Sequence, residues 1–140
     1  MERVIFACVH NAGRSQMAAA FFAQLADPLC ARAISAGTQP GDHVHPVVVD
    51  VMRESGIDMS RNRPQRLTED MARGATLLIT MGCGDECPYV PGVQRDDWPL
   101  ADPKDKTLDE ARAIRDDIRR RVSALVSRRG WGKSGERRSV

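Results

Sequence analysis

The hydrophobic pattern along the chain alternates between short strand-like segments and longer segments with helical periodicity. Four segments are predicted as strands: residues 3–8, 31–37, 75–81 and 93–98. The first and third are nearly continuous apolar runs bounded by turn-forming residues, a pattern typical of strands buried on both faces. The fourth, "VQRDDW", contains three charged residues and is predicted as a weaker strand.

Three helices are predicted, over residues 14–26, 46–55 and 107–128. The first is rich in Ala, Met and Leu, which favour helices, whereas the valines of the second lower its helix propensity, so burial must stabilise it. The third places its apolar side chains on one face. These are Leu108, Ala111, Ile114, Ile118, Val122 and Leu125. Strands that alternate with helices predict an α/β fold, in which helices cover both sides of a parallel sheet.

The chain length of 140 residues predicts a single domain. Residues 128–140 contain five basic residues and one acidic residue, and the whole chain has a net charge of +2, so residues 1–127 carry a net charge of −2. A nearly neutral body is not typical of nucleic-acid-binding proteins. We therefore predict one domain over residues 1–127 and a basic, disordered tail over residues 128–140, with docking of Trp131 as the alternative.

The N-terminus lacks the long apolar stretch of a signal peptide, because His10, Asn11 and Arg14 follow within a few positions of Ala7, and no run approaches membrane-spanning length. We therefore expect a cytoplasmic protein with no membrane partner. In that compartment cysteines are more often thiols, metal ligands or redox groups than structural disulfides. Of the four cysteines, Cys30 stands alone near the second predicted strand and is interpreted as structural.

The remaining cysteines follow predicted strands, as does one aspartate. Cys8 ends the first strand, Cys83 and Cys87 follow the third, and Asp102 follows the fourth. In a doubly wound sheet, ligands bind beyond the carboxyl ends of the strands, near the point where the strand order reverses. We therefore expect these side chains to meet at one edge of the sheet.

The segment between Cys8 and Arg14 connects a predicted strand to a predicted helix. Backbone N–H groups of such a loop, the helix dipole and a guanidinium group together form a cradle for a tetrahedral oxyanion. The same positive potential stabilises a thiolate, to which the Ser15 hydroxyl can donate. Asn11 tolerates the positive φ of a tight loop, and Gly13 permits close approach of the backbone. The alternative is a buried thiol beside an arginine on a solvated helix face.

The predicted anion-binding residues are those of the loop and the start of the helix. They are Val9, His10, Asn11, Ala12, Gly13, Arg14 and Ser15.

Four motifs, taken in order, resemble the low-molecular-weight protein tyrosine phosphatases and the arsenate reductases that share their fold. They are "CVHNAGRSQMA" at 8–18, "SAGT" at 35–38, "ESGIDMS" at 54–60 and "DP" at 102–103. The resemblance extends over about residues 3–126.

This resemblance implies a three-layer, doubly wound α/β fold with a four-stranded parallel sheet. It also implies that Cys8 is the nucleophile, Arg14 the anion-binding side chain and Asp102 the general acid. Two residues depart from the family pattern, since His10 stands where glycine is usual and Gly13 where a cysteine or another small residue is common. The departures concern the conformation of the loop and not the presence of an anion site.

Cys83 and Cys87 bear on which oxyanion is used. A phosphatase regenerates its thiol by hydrolysis, whereas arsenate reduction needs two electrons, which two thiols supply by forming a disulfide. Cysteines four residues apart on a helical turn have Cα atoms about 6 Å apart, within disulfide range. The segment is also similar to that of thioredoxin-coupled and actinobacterial arsenate reductases, whose two cysteines are often further apart.

The sequence therefore predicts an arsenate reductase in which Cys8 attacks arsenate and a disulfide passes through Cys83 to Cys87. Thioredoxin or another cytosolic thiol reductant is the expected partner, and the scheme requires no metal or organic cofactor. One alternative is a tyrosine phosphatase, although aromatic residues make up only 4% of the chain. Another is an anion-binding or metalloid-binding regulatory protein without turnover.

Two further interpretations concern the cysteine pair alone: a zinc site completed by His43 and His45, and burial of both cysteines as core thiols. The spacing of three residues between the cysteines does not match the usual zinc motifs. The three histidines of the chain, which include His10, are interpreted as loop or capping residues and not as catalytic groups.

Overall fold

The computed structural model describes residues 1–82 and 91–133. Along the chain the strands and helices are β1 (Glu2–Cys8), α1 (Arg14–Leu25), β2 (Ala31–Gly37), α2 (Pro46–Glu54), α3 (Glu69–Arg73), β3 (Leu77–Thr80), β4 (Gln94–Asp97) and α4 (Leu108–Arg129). No helix in these two ranges is long and apolar enough to cross a membrane.

The four strands form one sheet in the order β2-β1-β3-β4, and every neighbouring pair is parallel. The chain runs from β1 outward to β2 and then returns to β3 on the other side, so the strand order reverses beside β1. Cys8 is the last residue of β1 and pairs with Gly37 of β2. The predicted α/β fold with a four-stranded parallel sheet is confirmed, and Cys8 lies at its switch point.

The two faces of the sheet bury unequal cores. On one face, Val4 and Phe6 of β1 pack with the apolar sides of α1, α2 and α4. The Phe6 ring lies 6.0 Å from that of Phe22 and 5.7 Å from that of Trp98, measured between ring centroids. On the opposite face, Ile5 belongs to a smaller cluster that includes the partly buried Met71 of α3. β1 is therefore a buried inner strand of the sheet, and the loop from Cys8 to Arg14 follows directly from it.

The structure differs from the sequence predictions at two helices, α3 and α4, whereas the weak fourth strand is present as predicted. α3 was not predicted; its N-cap is Thr68, whose side chain accepts a hydrogen bond from the Met71 N–H. β4 is present, but all four of its residues are exposed, consistent with an edge strand. On α4, Leu108 is exposed although it was assigned to the apolar face, while Val126 is buried.

The predicted boundary of the domain at residue 127 is wrong. α4 continues to Arg129, and Trp131 is only 7% exposed, with its ring 5.9 Å from that of Phe22. The Asp27 N–H donates to the Trp131 carbonyl at 2.7 Å. Burial of a large aromatic ring favours docking, so the domain includes at least residues 128–132. The rest of the predicted tail, residues 134–140, lies outside the described residues.

We expect Trp131→Ala to lower the free energy of unfolding by about 3 kcal/mol, since it removes a large buried ring from the α1 side of the core. Urea unfolding followed by circular dichroism measures the change. Ser127→Ala, at an exposed position of α4, is the matched control and is expected to change stability by less than about 0.5 kcal/mol. Equal stabilities of the two variants would contradict the docking.

Candidate active site

The anion loop, residues 8–15, directs its carbonyl groups away from the site. Four of these carbonyls accept hydrogen bonds from backbone N–H groups of residues 38–45, at distances of 2.8 to 3.2 Å. The accepting residues are Cys8, Val9, His10 and Ala12, and the donors are Thr38, Gln39, Gly41 and His45. No backbone N–H of residues 10–14 donates to a carbonyl of the described chain. These N–H groups, at the N-terminal end of α1, are therefore available to an anion.

Asn11 fixes the shape of the anion loop. It has a φ of 50° and is fully buried. Its side-chain oxygen accepts from the Gln65 N–H at 2.9 Å and from Gln16 Nε2 at 3.2 Å. The predicted positive φ is present, and the partners at residue 65 and on α1 hold the loop in one conformation before any ligand binds.

The Cys8 thiol contacts a hydrogen-bond chain that starts at Asn11. Cys8 Sγ is 2.9 Å from Ser15 Oγ, and Asn11 Nδ2 donates to the same oxygen at 2.7 Å. Because Ser15 Oγ already accepts the amide hydrogen, its own hydroxyl hydrogen is free to point at the sulfur. Cys8 is only 2% exposed. The Ser15 hydroxyl is therefore placed to donate a hydrogen bond to Cys8 Sγ.

Leu100 and Gly82 determine where the Arg14 guanidinium lies, and sequence reasoning connected neither of them with Arg14. Its Nη1 donates to the Leu100 carbonyl at 2.9 Å. Gly82 has a φ of +87°, and a Cβ added to it would lie 2.6 Å from Arg14 Nη1. Only glycine therefore allows the guanidinium to occupy its position. Gly82 immediately precedes Cys83, but Cys83 and Cys87 lie outside the described residues.

Asp102 lies on the loop that follows β4 and faces the start of α1. Its Oδ2 is 3.8 Å from Arg14 Nη2, and its Oδ1 accepts from the Lys104 N–H at 3.0 Å. The next residue, Pro103, packs on Gly13, where an added Cβ would lie 2.7 Å from Pro103 Cγ. Gly13 thus permits close approach, as predicted, but its neighbour is Pro103. The contact brings the Asp102 loop over the anion loop.

His45 lies beside Asp102, although sequence reasoning interpreted it as a loop or capping residue, with a zinc ligand as the alternative. It is the N-cap residue of α2, and its Nε2 is 4.0 Å from Asp102 Oδ1. Burial lowers the pKa of His45 below its usual value of 6.5, the Asp102 carboxylate opposes that change, and nearby Lys104 adds to it. The one sequence signal was its position directly before Pro46, at a predicted helix start. Among residues 1–82 and 91–133, no three His, Cys, Asp or Glu side chains are arranged to hold a metal ion.

We expect Gly82→Ala to weaken binding of inorganic phosphate by about tenfold or more, because the new methyl group displaces the Arg14 guanidinium and charged hydrogen bonds are worth about 1.5–3 kcal/mol. Isothermal titration calorimetry measures the affinity. Gly92→Ala is a matched control, since Gly92 also has a positive φ, +85°, but a Cβ there meets nothing within 4 Å. Equal weakening in both variants would mean that backbone strain, and not Arg14, explains the loss.

The chain matches known proteins over nearly its whole length. The family model described as low molecular weight phosphotyrosine protein phosphatase matches residues 3–133. A putative arsenate reductase of Halobacterium salinarum is 40% identical over 126 residues, which cover 86% of this chain and 87% of that protein.

Two solved structures extend the comparison. A thioredoxin-dependent arsenate reductase of Corynebacterium glutamicum has a TM-score of 0.73 and 37% identity, over 89% of this chain and 60% of that longer chain. An arsenate reductase in the phosphate binding state has a TM-score of 0.78 and 30% identity, over 91% of this chain and 98% of that chain. The chain therefore belongs to the low-molecular-weight phosphotyrosine protein phosphatase family, and its arsenate reductase relatives confirm the resemblance inferred from the sequence.

Proposed function

We propose that this protein is an arsenate reductase that uses Cys8 as its nucleophile. The observation that carries the proposal is the cradle: the N–H groups of residues 10–14 have no carbonyl partner in the described chain, and the buried Cys8 thiol at the start of the same loop lies 2.9 Å from Ser15 Oγ. The Arg14 guanidinium, held at the rim by Leu100, supplies a positive charge for the anion. The named arsenate reductases among the relatives support arsenate as the oxyanion that is turned over.

In the first step, the Cys8 thiolate attacks arsenic and forms a sulfur–arsenic bond. One arsenate hydroxyl leaves, and a proton from Asp102 converts it to water, so the product is a dianionic thioester of arsenate. Loop amides and Arg14 stabilise the negative charge on the remaining oxygens. Asp102 lies 3.8 Å from Arg14, on the loop that packs over Gly13, which is consistent with an acid beside the bound anion.

In the second step, the Cys83 thiolate attacks Cys8 Sγ. A disulfide forms, the sulfur–arsenic bond breaks, and its electron pair stays on arsenic, which is reduced from As(V) to As(III) and leaves as arsenite. The Cys87 thiolate then attacks the Cys83 sulfur, which frees the Cys8 thiolate and leaves a Cys83–Cys87 disulfide. A dithiol reductant of the thioredoxin class reduces that disulfide and takes up the oxidising equivalent.

Within the described residues, the aromatic side chains offer no support for an aryl phosphate. Aromatic residues number five in the described part of the chain, and each of them is buried in the core. They are Phe6, Phe21, Phe22, Trp98 and Trp131. None of them is available to stack on a phosphotyrosine ring. The cytoplasm, where thioredoxin reduces disulfides, is the compartment that suits this chemistry.

Arsenite release by the purified full chain tests the proposal. Arsenate is supplied with either thioredoxin, thioredoxin reductase and NADPH, or glutathione with a glutaredoxin. We expect repeated turnover with the thioredoxin system. Hydrolysis of aryl phosphates without arsenite release would identify a phosphatase instead, and oxyanion binding without either reaction would identify a regulatory protein.

A further inference from the structure

His45 is fixed at the site by its backbone and not by its ring. Its N–H donates to the Ala12 carbonyl in the anion loop at 2.9 Å. Its φ and ψ of −58° and 133° are those of extended backbone, which residues before proline prefer. The side chain makes no capping hydrogen bond to α2. The imidazole therefore has no role in the start of the helix and is free to act on its neighbours.

The imidazole lies beside the carboxylate of Asp102. His45 Nε2 is 4.0 Å from Asp102 Oδ1, while Asp102 Oδ2 faces Arg14. His45 Cδ2 and Pro103 Cγ both lie close to the point where a Cβ of Gly13 would stand, at 3.5 and 2.7 Å. His45 and the Asp102 loop thus pack against the same spot on the anion loop. In structures without ligand, catalytic hydrogen bonds are often this long and shorten when substrate binds.

The exposed fractions of the Asp102 and His45 side chains allow both groups to exchange protons with water. Asp102 is 41% exposed and His45 18% exposed, so the imidazole is partly covered yet still reaches water. An aspartate in water is ionised at neutral pH, whereas a histidine exchanges its proton near neutrality. His45, whose Nε2 faces Asp102 Oδ1, is therefore in place to pass a proton to that carboxylate.

We propose that His45 supplies the proton that Asp102 delivers to the leaving hydroxyl, so that the two side chains act as a single acid; this rests on the proposed arsenate reductase function. The proton moves from His45 Nε2 to Asp102 Oδ1, and from the carboxyl to the departing hydroxyl, which leaves as water. Solvent then returns one proton to the imidazole. His45 is a positioning residue, since it acts on the substrate only through Asp102.

The charges around His45 predict when it takes up the proton. Burial lowers the pKa of His45, the Asp102 carboxylate opposes that change, and Lys104, His10 and His43 add to the lowering. Arg14 faces the far oxygen of the same carboxylate. A dianion in the cradle adds negative charge and raises the pKa of the imidazole. Binding of the substrate thus favours the protonated imidazole of His45, which is the form that the proposed proton transfer requires.

The first test measures the proton on His45 without any turnover. Sulfate is the probe, because it stays a dianion between pH 5.5 and pH 8.5. The His45 ring signal is titrated by NMR with and without saturating sulfate, and assigned by its absence in His45→Asn. We expect sulfate to raise the pKa of His45, and Asp102→Asn to lower it in both conditions. A His45 pKa that responds to neither change overturns the proposal.

The second test measures arsenite release in a double-mutant cycle. His45→Asn keeps a residue that is favoured at N-caps, so α2 is preserved. We expect His45→Asn and Asp102→Asn each to lower the rate of arsenite release by about 100-fold, since general acid catalysis contributes about 10² to 10⁴. The double variant is expected to be little slower than either single variant, because the two side chains act together as one acid. Asp50→Asn, at an exposed position of α2, is the control and is expected to be within about twofold of the unmutated protein.

The pH profile separates proton supply from a merely structural role. The rate of the unmutated protein is expected to fall as pH rises through the titration of the pair, and that fall is expected to disappear in His45→Asn. A rate lowered by the same factor at every pH, or losses that multiply in the double variant, overturns the proposal. If the unmutated protein releases no arsenite, the proposed function fails, and the sulfate titration still decides whether His45 and Asp102 share a proton.

Discussion

Cys8→Ser is expected to abolish arsenite formation, with a loss in rate of about 10⁴-fold or more. A serine hydroxyl is not ionised near neutral pH and offers no sulfur to thiol–disulfide exchange. The first step therefore lacks its nucleophile, and the second step lacks the sulfur that Cys83 attacks. The loop amides and Arg14 remain in place. Binding of inorganic phosphate is therefore expected to stay within a few-fold of the unmutated protein, which calorimetry measures beside the arsenite assay.

Cys30→Ser is the matched control for that prediction. Cys30 is half-buried just before β2, and its carbonyl accepts from the Glu2 N–H, away from the carboxyl ends of the strands. We expect this variant to keep its rate within about twofold, because substitutions distant from a site rarely change it. A comparable loss of activity in both serine variants would show that oxidation or misfolding, and not the nucleophile, is being measured.

The position of the anion loop followed from local patterns in the sequence. An apolar run ending at Cys8 predicts a buried strand, and helix formers after Arg14 predict the helix, so the loop between them was placed correctly. The positive φ of Asn11 also followed from its residue type. These features depend on neighbours within a few residues, which is why one sequence is enough to predict them.

The sequence patterns predicted that the Cys8 and Asp102 segments meet at one edge of the sheet, but the individual contacts made there were beyond those patterns. Arg14 is held by Leu100, 86 positions away, and Gly13 is packed by Pro103. No periodicity or spacing encodes such pairs, because they exist only after the sheet has brought the strand ends together. The proximity of His45 to Asp102 was missed for the same reason.

Two elements were missed or misplaced for different reasons. α3 has only five residues, too few for a helical period, and its one signal was Thr68 as an N-cap. Composition near the C-terminus favoured a tail, yet burial of Trp131 against Phe22 outweighs the polar residues around it. Composition describes an average over a segment, whereas a single aromatic ring is enough to dock it.

Substitution of each cysteine of the pair is expected to stop the reaction at a different intermediate. In Cys83→Ser, the Cys8–arsenate adduct forms, but no neighbouring sulfur attacks Cys8, so release of arsenite falls by about 10³-fold or more. In Cys87→Ser, Cys83 still attacks, so about one arsenite is released per protein molecule and a Cys8–Cys83 disulfide accumulates. Rapid mixing with arsenate, acid quenching and mass spectrometry of the linked peptides identify these products.

Two results would contradict the order of the relay. Multiple turnovers by both serine variants with thioredoxin alone would mean that an external thiol attacks the Cys8 adduct directly. A Cys8–Cys87 disulfide in Cys83→Ser, with one arsenite released, would mean that Cys87 is the first resolving thiol. Gly82 bears on this order, since it adjoins Cys83 in sequence and a Cβ on it would meet Arg14 at 2.6 Å. In sequence, Cys83 follows Gly82 directly and Cys87 stands five residues after it, and this order along the chain is the reason that we propose Cys83 as the first resolving thiol.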